Sequence, residues 1–193
     1  MFDVLHTYLA ARMPLTGEQF DFIRALLIPK HLEKGEILIR EGEVAKYGSF
    51  VSSGCLRSYV VDNKGKEHII QFAPETWWLA DLHSLATGTP TLYFIDALEA
   101  SDILLLDAGS HKKIMEKIPG FASSFQAGQQ KHIASKDKRI IATLTATAEE
   151  RFQNFLQTYP SIAQRVPQHM LASYLGVTPE TLSRIRKKWA TVK

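Results

Sequence analysis

Residues 168–185 read Gln168-His169-Met170-Leu171-Ala172-Ser173-Tyr174-Leu175-Gly176-Val177-Thr178-Pro179-Glu180-Thr181-Leu182-Ser183-Arg184-Ile185. Two short helices joined by a tight turn make separate steric demands. They need a small residue where they touch, a residue at ease in the left-handed region at the turn, and apolar positions that lock the pair. With Gln168 as the first position, Ala172 is the fifth and Gly176 the ninth. Leu171, Leu175, Val177, Leu182 and Ile185 take the apolar positions. Thr178 is a natural cap for the second helix, Pro179 suits its first position, and Glu180 brings a favourable charge to its first turn. The spacing predicts a helix-turn-helix.

At 100° per residue, Leu182, Ile185 and Trp189 share the inward arc of the second helix, while Glu180, Ser183, Arg184 and Lys187 lie opposite. Such a face suits the major groove of a duplex. Arg184 offers two donors to a guanine edge, and Glu180 an acceptor to a cytosine amine. Arg186, Lys187 and Lys188 suit phosphates, which give affinity rather than choice of sequence. Gln168 and His169, opening the first helix after Pro167, are candidates for backbone phosphate, and Thr178, Thr181 and Ser183 complete the candidate contact set. For each of these residues the alternative is a solvated helix face.

Charge agrees with this placement. The 193-residue chain carries a net +3, but residues 1–130 hold 12 Lys and Arg against 16 Asp and Glu, a net of −4. Residues 131–193 hold 11 against 4, a net of +7. A basic, polyanion-facing C-terminal part on an acidic N-terminal part is the expectation.

Working back along the chain, Phe152, Phe155 and Leu156 mark one face of a helix from about 148 to 159, closed by Pro160. Residues 120–145 lack proline and have length for six or seven helical turns, although Phe121, Phe125, Ile133, Ile140, Ile141 and Leu144 do not form a clean heptad. A short helix is expected at 110–118. Between about 31 and 107 the pattern becomes short apolar runs divided by turn residues, such as 36–40, 49–52, 56–61, 67–72, 95–99 and 103–106. Strands at that spacing argue for an antiparallel roll or barrel, interrupted near Trp77–Leu82 by a short helix and loop. Residues 1–28 read as helical, with Thr16 a cap and Pro29 the stop.

Here the chain resembles the Crp/Fnr regulators, the family of the cAMP receptor protein and FNR. Lys34–Glu43 is similar to the family's first β-roll signature, Phe50–Arg57 to its next strand pair, and Thr178–Arg186 to its recognition helix. The resemblance implies an α+β protein with an antiparallel, jelly-roll-like sensor domain resembling cyclic-nucleotide-binding domains over residues 1–118. A long connecting and dimerisation helix over 119–145 and an all-α helix-turn-helix domain over 146–193 follow. It implies a homodimer that binds double-stranded DNA, with RNA polymerase as a further partner. Glu180 and Arg184 stand at two of the family's base-reading positions, and Pro179 stands at the third, normally Arg, so the operator is expected to differ. The chain ends soon after the recognition helix, so a β-hairpin wing beyond that helix is expected to be missing or to lie elsewhere.

The family's cyclic-nucleotide binders hold phosphate with an Arg beside a Gly-Glu pair. Residues 67–111 of this chain contain neither Lys nor Arg, and Leu79-Ala80-Asp81 stands in place of Gly-Glu. A buried phosphate without a cation is badly destabilised, so cAMP is not the expected ligand. The candidate effector pocket is Trp77, Trp78, Asp81 and Glu99, taking a neutral or cationic molecule, or none.

The single cysteine, Cys55, cannot build an intramolecular disulfide or a cysteine-rich metal site. The seven histidines show no paired metal-ligand spacing, and no nucleophile arrangement or phosphate loop is visible. No catalytic residue, metal or cofactor is therefore assigned. With no apolar run of membrane-spanning length and no secretory leader pattern at Met1–His6, a cytoplasmic protein without membrane association is expected. Two alternatives stand beside the regulator: a cupin-like β-roll enzyme, which would need strand-borne histidine pairs, and a protein-docking module without specific DNA binding.

Overall fold

Strands buried on both faces explain the architecture. The computed structural model describes residues 1–191, with helices α1 (Phe2–Ala10), α2 (Gly17–Ala25), α3 (Leu82–Thr87), α4 (Ala108–Lys117), α5 (Pro119–Thr145), α6 (Ala148–Thr158), α7 (Gln168–Leu175) and α8 (Pro179–Thr191). The strands are β1 (Ile28–Leu32), β2 (Ile37–Ile39), β3 (Tyr47–Ser53), β4 (Cys55–Val61), β5 (Glu67–Pro74), β6 (Trp78–Leu79), β7 (Phe94–Ala97) and β8 (Ser101–Asp107). They form two four-stranded sheets, in the orders β1-β8-β3-β6 and β2-β7-β4-β5. β1 and β3 run antiparallel to β8, and β2 and β4 antiparallel to β7.

On β8, Ile103 and Leu105 join a cluster with Val51, Leu56, Ile95 and Ala97, contributed by both sheets, so this is the core of the roll. Leu104 and Leu106 point the other way, into a cluster with Phe50 of β3, Leu5 and Leu9 of α1, Ile23 of α2 and Ile114 of α4. Period-two alternation thus makes one strand serve two apolar layers. Each fully buried Leu or Ile contributes about 1.5–3 kcal/mol. Gly54, at the turn between β3 and β4, has φ +83°, and a Cβ there would sit 2.5 Å from the Ala100 carbonyl oxygen and 2.8 Å from Ser101 Cα. Only glycine fits this turn.

The expected α+β roll followed by helices is what is found. Two local differences have clear causes. The N-terminal helical segment is two helices, the second opened by a capping box in which Thr16 and Gln19 bond each other's backbone N–H. Pro29 does not stop a helix; it lies inside β1, opposite Leu104. β1 is an edge strand, where a residue without N–H costs no ladder bond.

The chain divides into two compact units, residues 1–60 with 72–129, and residues 61–71 with 130–193. No helix of the described residues is long and apolar enough to cross a membrane.

Candidate nucleic-acid interface

In the second unit, α6, α7 and α8 contact one another pairwise. Leu171, Ala172 and Leu175 of α7 and Leu182 and Ile185 of α8 are buried. The Phe152 and Trp189 rings meet edge-on at 6.2 Å, and Phe155, Tyr159 and Tyr174 form a second aromatic group. Gly176 ends α7 at φ 66°, ψ 37°, and its N–H bonds the carbonyls of Ala172 and Ser173. The left-handed turn reverses the chain within three residues. The Thr178 hydroxyl then accepts the Thr181 N–H at 3.3 Å, which caps α8.

On the outer side of α8, Glu180, Arg184, Arg186, Lys187 and Lys188 are exposed, and Thr181 and Ser183 are half-buried. Gln168 and His169 are exposed at the start of α7 and line an open groove together with Pro179, Glu180 and Ser183. Gln168 Nε2 donates to the Pro179 carbonyl at 3.1 Å, so this side chain ties the two helices together as well as facing the groove. Arg184 Nη2 donates to Thr181 Oγ1 at 3.3 Å, and Thr181 also takes the Thr178 hydroxyl. The Thr178 hydroxyl holds the Glu180 carboxyl below its usual range. Lys188 is placed differently: its ammonium lies 2.9 Å from both carboxylate oxygens of Glu149 on α6.

Two further arginines act in this unit without having been singled out by sequence reasoning. Arg151 of α6 donates to the carbonyls of Leu175 at 2.9 Å and Ala146 at 2.8 Å. Arg139 of α5 donates to the Tyr174 carbonyl at 3.1 Å. Both sit among the C-terminal carbonyls of helices, where a cation is favourable.

In the first unit, the four candidate pocket residues do not share one cavity. Asp81 Oδ1 caps α3 through the Ser84 N–H at 3.1 Å, and its Oδ2 accepts the Thr91 hydroxyl at 2.6 Å. It borders a cavity of about 460 Å³ whose walls include Leu38, Ile39, Val44, Ile95 and Leu105, but not Trp77, Trp78 or Glu99. Trp78 packs on Phe50 at 5.3 Å between ring centroids, Trp77 joins the roll core, and Glu99 lies between β7 and β8. Buried Arg57 is bonded to Asp96. Among the described residues, no group of three or more His, Cys, Asp or Glu is placed to hold a metal.

Residues 29–118 match the family model described as the cyclic nucleotide-binding domain. The probable transcriptional regulator Flp of Lacticaseibacillus casei is 25% identical over 185 residues, which cover 93% of this chain and 84% of that protein. The transcriptional activator protein Anr of Pseudomonas aeruginosa is 25% identical over 187 residues, covering 90% and 75%. Among solved structures, FixK2 from Bradyrhizobium japonicum aligns with a TM-score of 0.73 at 22% identity, over 86% of this chain and 85% of that one. The chain is thus similar to Crp/Fnr-type transcription regulators along most of its length, and residues 29–118 match the cyclic nucleotide-binding domain. Asp81, Ser84, Thr89 and Thr91 bond one another around the start of α3. The carboxylate of Asp81 already takes the Ser84 N–H, one of the free N–H groups in the first turn of α3, where an anion would otherwise be received.

Proposed function

We propose that this Crp/Fnr-type chain is a sequence-specific transcription regulator that works as a cytoplasmic homodimer on double-stranded DNA, reads its operator with α8, and does not respond to cyclic nucleotides. The observation that carries this reading is the capped, solvent-facing α8, with Glu180, Ser183 and Arg184 on one side and Leu182 and Ile185 buried on the other. Glu180 and Arg184 read base edges. Arg186, Lys187 and His169 hold the backbone, and Lys188 joins them once released from Glu149.

The homodimer is supported by α5, on which Ile133, Ile140, Ile141 and Leu144 are 57–79% exposed. Apolar side chains in that number on one long helix call for a partner, and a second copy gives the two-fold symmetry that a pair of half-sites needs. RNA polymerase is a further partner in this reading. The 460 Å³ cavity joins apolar walls to Glu43, Lys46 and Asp81, and this net negative lining suits a neutral or cationic effector better than a phosphate.

Selection of bound duplexes from a random pool, with the purified protein, tests the proposal. A palindromic consensus with two half-sites about one helical turn apart is expected. Absence of salt-sensitive affinity for any duplex, with or without a metabolite extract, overturns it.

A further inference from the structure

Arg139 belongs to the basic segment by composition, yet its charge is turned inward. Its guanidinium donates to the carbonyls of Ile69 at 3.0 Å, Ile70, and Tyr174 at 3.1 Å, and lies 4.0 Å from the centroid of the Tyr174 ring. The neighbouring residue on α7 makes the same connection from the other side. Ser173 Oγ donates to the Glu67 carbonyl at 3.1 Å and accepts the Ile69 N–H at 3.1 Å. Alternate residues of a strand aim their backbone groups to the same side, and β5 is the outermost strand of its sheet. Ser173 therefore takes the place of a strand neighbour at one point on β5. Arg151 holds the next carbonyl of α7, that of Leu175. Two guanidinium groups thus grip the last turn of α7 immediately before the Gly176 turn that launches α8. All of these residues lie in the unit formed by residues 61–71 and 130–193.

We propose that Arg139 is a positioning residue for DNA reading. It does not touch the duplex; it joins β5 residues 69 and 70 to the end of α7, and through the Gly176 turn it fixes the direction in which α8 is presented. The inference rests on the reading of α8 as the DNA-contacting helix. Lysine cannot replace arginine here, because a single ammonium has neither the planar fork that spans three carbonyls nor a flat face for Tyr174.

The test uses full-length protein and a duplex from the selection above, with affinity measured across a salt series well below the melting temperature. Arg139→Met and Arg139→Lys are both expected to weaken specific binding about tenfold or more, the size of one hydrogen bond to a charged group. The slope of log affinity against log salt should stay at the wild-type value. Ser173→Ala, which changes no charge and keeps the fold testable if the arginine variants unfold, should weaken binding in the same direction. Amide exchange at Ile69, which bonds Ser173 and not Arg139 through its N–H, should quicken in Arg139→Met.

A salt slope shallower by about 0.9, the signature of one phosphate no longer neutralised, makes Arg139 a direct phosphate ligand and overturns the inference. Recovery of affinity in Arg139→Lys overturns it in the same way. Lower melting temperature with unchanged affinity makes it a purely structural residue, which also overturns it. A wild type that binds no duplex removes the functional reading itself, and this inference with it. A wild type that binds, beside unaffected variants, removes only this inference.

Discussion

Arg57 and Asp96 face each other across β4 and β7, Nε to Oδ1 at 2.7 Å and Nη2 to Oδ2 at 2.8 Å, with side chains only 7% and 8% exposed. The guanidinium also lies 4.3 Å from the centre of the Tyr59 ring. Fork-to-fork geometry of this kind offsets the cost of taking two charges out of water, and leaves neither charge for a ligand.

Breaking that pair should therefore cost far more than replacing it. Arg57→Met leaves Asp96 buried beside an apolar chain and should destabilise the protein by about 3–5 kcal/mol. The double variant Arg57→Met, Asp96→Leu should recover most of the loss, because no lone charge remains. Denaturant melts of the three proteins measure the difference. Equal stability of wild type and Arg57→Met would show that the pair is not a desolvated one.

The same pair, together with Asp81, bears on the effector. With Arg57 committed to Asp96 and the α3 N-terminus capped by a carboxylate, a cyclic phosphate meets neither an available arginine nor an open helix end there. Millimolar cAMP or cGMP should leave the melting temperature unchanged. A ligand bound at a hundred times its Kd would add about 2.7 kcal/mol, an easily measured rise. Such a rise with either nucleotide would contradict this account of the roll.

On the DNA side, Lys188 and Arg184 separate affinity from specificity. Arg184→Ala should cost about 1–3 kcal/mol against the preferred base at one position in each half-site and flatten the preference there, as read by competition with single-base operator variants. Glu149 holds Lys188 in free protein, so Glu149→Ala should release a cation toward phosphate. Tighter binding and a salt slope steeper by about 0.9 for each phosphate newly neutralised are expected. Weaker binding in Glu149→Ala would mean that the pair orients Lys188 for its phosphate.

The helix-turn-helix was legible in the sequence because each of its positions answers a local demand. Ala172, Gly176 and Thr178 act within a few residues of themselves, and their roles follow from size, backbone freedom and capping. The roll was legible as a rhythm of short strands, but β1 was hidden. Pro29 carries a helix-stop signal wherever it occurs, and only the sheet order reveals that it lies on an edge. The arginines were not legible at all. Arg139 finds its carbonyls 69, 70 and 35 residues away, and Lys188 finds Glu149 at a separation of 39. Composition counts such groups as surface charge, since nothing local distinguishes a guanidinium bonded to backbone from one in water. The pocket reading relied on aromatic residue type, whereas the direction of each side chain sends Trp78 into the cluster shared with α1 and α2.

At the tip of the hairpin between β4 and β5, Asp62 accepts the backbone N–H groups of Lys64 at 2.9 Å and Lys66 at 3.0 Å and lies 2.8 Å from His68 Nε2. The His68 hydrogen bond, followed by the two amides, lowers its pKa to about 2. A depressed carboxyl stabilises the fold above its unfolded value of about 3.9 and loses that contribution as pH falls toward 2. Asp62→Asn should therefore speed amide exchange at Lys64 and Lys66 at pH 6, and the difference from wild type should shrink as the pH approaches 2. A difference independent of pH would mean that the turn is held by shape alone.

The exposed face of α5 gives the most direct test of assembly. Ile133, Ile140 and Leu144 recur at intervals of seven and four, the spacing of a two-stranded seam, and all three are more than half exposed. Glutamate at 140 and 144 puts like charges opposite one another only if a second copy lies there. Ile140→Glu, Leu144→Glu should therefore shift the protein from dimer to monomer in sedimentation while a single chain keeps its far-ultraviolet circular dichroism, since neither side chain is buried within one chain. DNA binding should fall with it, because each half-site is then held separately and the second no longer benefits from the first. A variant that stays dimeric would move the interface off this face, and the two-fold operator would then have to be matched by another surface.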